Sequence, residues 1–310
     1  MHRFDIVALG EAMVEFNQAR SADGRSYLQG FGGDTSNAVI AAARQGARCA
    51  YVSRVGDDHF GRALRALWHD EGVDASGVGL DPQAHTGVYF VHHGPHGHRF
   101  SYLRARSAAS AITPADVPSA LIESARVLHV SGISQAISDN ARATVAHAIG
   151  IARGAGVSVA YDPNLRLALW PLHTAREAVL QTMPLCDEFL PGLDDMHQLS
   201  GLDDPHDIVA WSHRHGARTV VLKLGSRGVL VSDGASSQLI APHAVDAVDA
   251  TGAGDCFDGS YIARRAAGDD ALTAARWANA AAALATTGYG AVEPLPRADA
   301  VRRLLHSPPP

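Results

Sequence analysis

A chain of 310 residues with 26 Lys and Arg against 32 Asp and Glu, a formal charge of −6, lacks the basic surplus of a general nucleic-acid binder. Hydrophobic residues at 46% and charged residues at 19% exclude a disordered or fibrous class, and the length is near the limit for one hydrophobic core. No run approaches the ~18 apolar residues of a membrane span and Met1–Val7 has no apolar signal segment, so no membrane partner and a cytoplasmic location are the default expectations.

In chain order, Ile6–Leu9 reads as a first strand and Thr35–Gln45 as a helix stopped by Gly46. Cys49–Ser53 is the next strand and Phe60–Glu71 the next helix, ended by Gly72. Further along, strands are predicted at Val127–Val130, Val157–Tyr161, Glu188–Leu190, Thr219–Leu224 and Gly228–Ser232. Helices are predicted at Asn140–Gly154, Ala175–Met183, His206–His215, Ala253–Arg265 and Ala271–Ala285. This alternation implies βαβ units and a mostly parallel sheet covered on both faces. Two stretches, Val14–Phe31 and Thr86–Arg104, break the pattern and read as ribbons outside the main sheet, able to pair into one small sheet over a cleft. Cys49, Cys186 and Cys256 are far apart and form no CxxC pair, which leaves buried thiols as the plain reading.

Three motifs carry chemistry. Asp249-Ala250-Thr251-Gly252-Ala253-Gly254-Asp255 follows a loop and leads into the run Phe257–Ala267, which puts its glycines at a helix N-terminus. The N–H groups of a first helical turn lack intrahelical partners and stabilise charge developing on a transferred phosphoryl group. Asp255, at the same helix start, can accept the proton of an attacking hydroxyl. Lys223-Leu224-Gly225-Ser226-Arg227-Gly228 ends a β-branched run in a glycine loop, where a nucleotide lies across an α/β sheet, although the segment alone is a hairpin. Gly32-Gly33-Asp34-Thr35-Ser36-Asn37-Ala38 opens a helix: adjacent glycines let a polyol or sugar acid approach the backbone, and Asn37 offers a donor and an acceptor. An ordinary Asp, Thr or Ser helix cap fits that third motif equally well.

These motifs, in this order, resemble the ribokinase-like carbohydrate kinases over about Asp5–Leu305. The resemblance implies an α/β ribokinase-like fold, a mostly parallel central sheet flanked by helices with a small β-sheet lid. On this chain that means residues 1–13, 32–85 and 105–310 as the large nucleotide-binding domain, and 14–31 with 86–104 as the lid. It implies ATP with Mg²⁺ as phosphoryl donor, Asp255 as base, and the backbone of Gly252, Ala253, Gly254 and Asp255 as anion hole. Asn164, Lys223, Gly225, Gly228, Thr251, Gly252, Gly254 and Asn279 then fall to the nucleotide.

Within the family, Asp162-Pro163-Asn164-Leu165-Arg166 with Leu169-Trp170, and Tyr102-Leu103-Arg104 with Ser107-Ala108-Ala109-Ser110, look most like the 2-keto-3-deoxygluconate kinases. Arg104 and Arg166 suit a carboxylate clamp, with Gly33, Asn37, Tyr89 and Tyr102 completing the acceptor site. The Asn-x-x-Glu motif of many members is replaced by Gly192-Leu193-Asp194-Asp195, so Mg²⁺ is expected at Asp195 through water. A kinase of a neutral ketose or nucleoside is the nearest rival, and a sugar-sensing member without catalysis a rival of another class. A dinucleotide-dependent oxidoreductase needs GxGxxG after the first strand, which Leu9-Gly10-Glu11-Ala12-Met13 lacks. His92–His98 reads as a solvated turn rather than a metal site. The sequence leaves open a monovalent cation near Gly288–Ala291 and the oligomeric state, a homo-oligomer included.

Overall fold

The computed structural model describes residues 2–19, 24–94 and 97–306. Its strands are β1 (Phe4–Leu9), β2 (Met13–Gln18), β3 (Tyr27–Gly32), β4 (Cys49–Gly56), β5 (Val73–Asp81), β6 (Val88–Gly94) and β7 (Gly97–Leu103). They continue with β8 (Ala125–Ser131), β9 (Ser158–Asp162), β10 (Glu188–Phe189), β11 (Thr219–Lys223), β12 (Val229–Ser232) and β13 (Ser237–Ile240). One sheet runs β13-β12-β11-β10-β9-β8-β1-β4-β5. It is parallel from β11 to β5, and β12 and β13 are added antiparallel at one edge.

Alternating side chains build a core on each face of this sheet. Ile6, Ala8, Val127, Ala160 and Val221 face the helices Asp34–Arg44, Ala253–Ala267 and Ala271–Ala285. Val7, Leu9, Leu128, Val159, Tyr161 and Leu222 face the other way, toward Asp139–Gly154 and Leu172–Thr182. The helices Asp34–Arg44 and Ala253–Ala267 touch closely: a Cβ on Gly259 would lie 1.9 Å from the Ala38 carbonyl oxygen. Only glycine permits that approach.

The strand order reverses at β1, between β8 and β4, and such switch points open a crevice at the carboxyl ends of the strands. Glu11 follows β1 there, while Ser131, Asp162 and Lys223 end β8, β9 and β11. The two irregular ribbons form a second sheet, β3-β2-β6-β7, with antiparallel β2/β3 and β6/β7 joined by a parallel β2/β6 pair.

Most predicted elements lie within a few residues of those observed, and Ala271–Ala285 matches at both ends. The sequence reading missed β5 and β13, both edge strands with broken apolar alternation, and the helices Leu193–Ser200 and Ala298–His306. Of the histidine run, His96 lies outside the described residues, as does the tail from 307. His93 Nε2 is 2.7 Å from Asn17 Oδ1, and His92 Nδ1 is 3.1 Å from the Tyr27 hydroxyl.

Candidate active site

The helix Ala253–Ala267 begins at Gly252, whose φ of 73° is left-handed and whose Cβ position is 3.0 Å from Ala291 backbone atoms. Glycine is required there on both counts. Upstream, Asp249 Oδ1 accepts from the Thr251 amide at 2.9 Å and hydroxyl at 2.7 Å. Asp249 Oδ2 accepts from the Gly290 amide at 3.0 Å. Thr251 therefore braces the turn with Asp249, and the 288–291 loop is tied to the same carboxylate.

Of the expected anion-hole donors, Ala253 N–H already bonds the Ala250 carbonyl at 3.2 Å. The N–H groups of Gly254 and Asp255 follow, in the turn where helix geometry supplies no acceptor, and Gly254 is exposed. One of the four expected donors is thus already engaged within the turn.

Asp255 is half-buried and its Oδ2 accepts from Asn37 Nδ2 at 2.8 Å. Burial, reinforced by the nearby carboxylates of Asp34 and Asp162, pushes its carboxyl up to about 7, while Asn37 and Lys223 pull the other way. A base poised near neutrality takes up a hydroxyl proton without being permanently protonated.

The acceptor side contains buried polar atoms without partners: Asp34 Oδ1, Asn37 Oδ1 and Arg104 Nε. Buried polar atoms are almost always satisfied, so these three are open to a hydrogen-bonding partner from outside the chain, water or ligand, as are His129 Nδ1, Arg142 Nε, Trp170 Nε1 and Ser260 Oγ elsewhere. Of the three on the acceptor side, two accept and one donates. Asp34, 8% exposed, was visible in the sequence only as a helix-cap residue; its free oxygen is a tertiary fact.

Several expected site residues have other partners. Gly33 has φ 113°, and its Cβ would meet the Glu11 carbonyl at 2.3 Å, so backbone packing and not an open ligand surface demands glycine. Arg104 is paired with Glu11, a buried carboxylate that also accepts from Ser107 Oγ at 2.9 Å. Arg166 is exposed, with Nη1 on the Leu165 carbonyl at 2.8 Å, so the two arginines share no partner. Tyr89 donates its hydroxyl proton inward, to Glu15 Oε2 at 2.5 Å. Tyr102 is 45% exposed, with the Arg104 guanidinium 5.6 Å above its ring.

On the nucleotide side, Gly225 has φ 60° and open space at its Cβ position. Gly228 has φ 90°, and its Cβ would lie 2.0 Å from the Ile240 carbonyl oxygen. It serves the β12–β13 ribbon. Asn279 is buried and holds the Ala241 carbonyl through Nδ2 at 2.8 Å. Asn164, at φ 35°, faces the acceptor side, where Nδ2 is 3.4 Å from Asp34 Oδ2. Lys223 Nζ is held by Asp162 at 2.8 Å and by both oxygens of Asp258 at 2.8 and 3.0 Å. Asp258 lies one turn after Asp255 inside an apolar run, and its partner Asp162 is distant in sequence, so sequence reading assigned neither a role.

Among the described residues no group of three or more His, Cys, Asp or Glu is arranged to hold a metal. Asp195 accepts the Leu165 amide on Oδ2 at 3.0 Å, and burial, with Asp162 nearby, pushes it up to about 6. Carboxylates outnumber cations here, which fits a divalent ion that keeps several waters and takes its inner ligands from phosphates. No helix among the described residues is long and apolar enough to cross a membrane.

Residues 3–298 match the model of the pfkB family carbohydrate kinases. The chain is 38% identical to 2-dehydro-3-deoxygluconokinase of Thermoproteus tenax, over 97% of this chain and 94% of that protein. It is 33% identical to fructokinase-1 of Oryza sativa subsp. japonica, over 97% and 98%. A candidate ribokinase II from E. coli, solved in complex with ATP and Mg²⁺, superposes with a TM-score of 0.89 at 26% identity, over 97% of this chain and 99% of that one. The chain belongs to the pfkB family of carbohydrate kinases and is a sugar kinase, a phosphotransferase with an alcohol group as acceptor.

Proposed function

We propose that this kinase transfers the γ-phosphoryl group of ATP to 2-keto-3-deoxygluconate, giving 2-keto-3-deoxy-6-phosphogluconate. The observation that carries the transfer chemistry is Asp255 at a glycine-opened helix N-terminus, its carboxyl raised toward 7 and held by Asn37 at 2.8 Å. Asp255 takes the proton of the attacking primary hydroxyl. The N–H groups of Gly254 and Asp255 stabilise the transferring group, and Gly225 leaves room for the nucleotide. Mg²⁺ bound with ATP would neutralise phosphate charge, with Asp195 reaching it through water. A monovalent cation near Gly288–Ala291 would act through the brace that joins Gly290 to Asp249.

For the acceptor, Asp34 Oδ1 and Asn37 Oδ1 suit hydroxyl donors, and Arg104 Nε with the exposed Arg166 suits a carboxylate or keto oxygen. The similarity to the Thermoproteus tenax enzyme supports the same choice. The four-stranded sheet, carrying Tyr89 and Tyr102, is read as the lid over this end. One observation favours a neutral ketose instead: Glu11 already balances the charge of Arg104. Fructokinase-1 of rice is nearly as similar.

Initial rates with ATP on ketodeoxygluconate, fructose, ribose and adenosine decide between these readings. The sugar acid is expected to have the highest kcat/KM. A preference for fructose would move the assignment to the neutral-sugar class, and a preference for adenosine would discard both.

A further inference from the structure

Lys223 lies beneath the anion hole, where its ammonium is already engaged. Its three N–H donors face three carboxylate oxygens of Asp162 and Asp258 within 3.0 Å. The side chain is only 14% exposed. Its backbone is fixed as well, since Lys223 N donates to the Pro191 carbonyl at 2.8 Å. A Cβ built on Gly254 would stand 3.8 Å from Nζ. A phosphate seeking this ammonium would have to displace a buried carboxylate.

Resting on the reading of Asp255 as the base, we propose that Lys223 is a positioning residue that clamps the catalytic helix to the sheet and sets the field around Asp255, and is not a nucleotide ligand.

The helix start needs such a clamp. Its cap, Gly252, makes no side-chain hydrogen bond. The first turns are held from outside by Asn37 on Asp255 and, one turn on, by Lys223 on Asp258. Burial drives Asp258 well above the ordinary carboxylate range despite Lys223. Asp162 is buried too, but the adjacent ammonium keeps it low. The ammonium stays charged, because Asp162 first and Asp258 second outweigh its burial. His129 completes the cluster as a neutral ring, its pKa pushed down to about 4 by burial.

The groups facing Asp255 come from every neighbouring element. They are Asp34 and Asn37 from the Asp34–Arg44 helix, Asp162 from β9, Lys223 from β11, Tyr89 from β6, and Cys256 from its own helix. Lys223 is the cation among them. Removing it raises the pKa of Asp255, and removing the Asp162 charge lowers it.

The test is kcat and KM against pH for Lys223→Met, Asp162→Asn and the double variant Lys223→Met/Asp258→Asn, which removes the ammonium together with one of its partners and guards against misfolding of the single change. For both Lys223 variants we expect kcat to fall about 10- to 100-fold, with KM for ATP within about threefold of the parent. The acid limb of the rate profile should move up by about one pH unit in Lys223→Met, and down in Asp162→Asn. A rise in KM for ATP of about tenfold or more with an unmoved limb would make Lys223 a nucleotide ligand and overturn the proposal. So would a folded double variant with parental kcat. Asp255→Asn, assayed in parallel, reports on the base alone: if it keeps its turnover the base reading fails, while the KM split still locates Lys223.

Discussion

The two ends of the crevice are built differently. Around Asp255 the bracing side chains are engaged: Asp249 holds Thr251 and Gly290, Asn37 holds Asp255, and Lys223 is shared by Asp162 and Asp258, with His129 Nδ1 and Ser260 Oγ left without a partner. At the acceptor end, Asp34 Oδ1, Asn37 Oδ1 and Arg104 Nε are buried without partners, and Tyr102 and Arg166 are exposed. The first end is a braced helix start, on which the proposed transfer chemistry rests. The second has unpaired groups that the proposed acceptor would fill. A shared transfer chemistry can therefore sit beside a variable substrate, as the similarity to both a ketodeoxygluconate kinase and a fructokinase suggests.

If the closed end is rigid by design, loosening it should harm turnover and leave binding alone. Gly252→Ala puts a Cβ into Ala291 at a left-handed φ. Such a misplacement of the hole should cost kcat on the order of 100-fold while KM for the sugar stays near the parent value. Steady-state kinetics on the purified variant would show it; a change confined to KM would erase the distinction between the two ends.

The open end should respond in the opposite sense. Arg104→Ala is expected to raise KM for the sugar about tenfold or more with a smaller effect on ATP. It also strands the buried Glu11 carboxylate, so thermal unfolding should show a loss of about 3 kcal/mol. Glu11→Gln frees the Arg104 charge and should shift relative kcat/KM toward the sugar acid by a few-fold. No change in that ratio would mean that the pair does not tune acceptor choice.

The smallest effect concerns stability. The folded-state pKa of Asp255, about 7, lies above the ~4 of an unfolded Asp, so folding favours the protonated form. That contribution is fully present below about pH 4 and is lost as pH rises through 7. Asp255→Asn keeps the acceptor for Asn37 and has no charge to lose. Its Tm relative to the parent should therefore be higher at pH 8 than at pH 5, and a constant offset would argue against a raised pKa.

Much of the closed end was legible because one contiguous string carries it. Asp249–Asp255 announces a helix start, its glycines and its base together, and the run after it is apolar enough to fix the helix. The central strands were legible for a similar reason, being short β-branched runs between turn residues, whereas β5 and β13 at the sheet edges have no such run. The acceptor end resisted because its facts are pairwise and distant. Glu11 and Arg104 are separated by 93 positions, and nothing in either neighbourhood says that one neutralises the other. The resemblance assigned Lys223 to the nucleotide, and its contact with Asp258, 35 residues later, was not legible from its glycine loop. Gly33 and Gly228 read as ligand glycines, and a packing demand for glycine, a carbonyl oxygen of Glu11 or Ile240 at the Cβ position, was not legible beside that reading.

The proposed transfer depends most on Asp255 as the base, and Asp255→Asn assayed with ATP and ketodeoxygluconate puts that role to the test. We expect kcat to fall about 10²- to 10⁴-fold while sugar and nucleotide still bind by calorimetry. Turnover within about tenfold of the parent, with binding intact, would contradict the central claim.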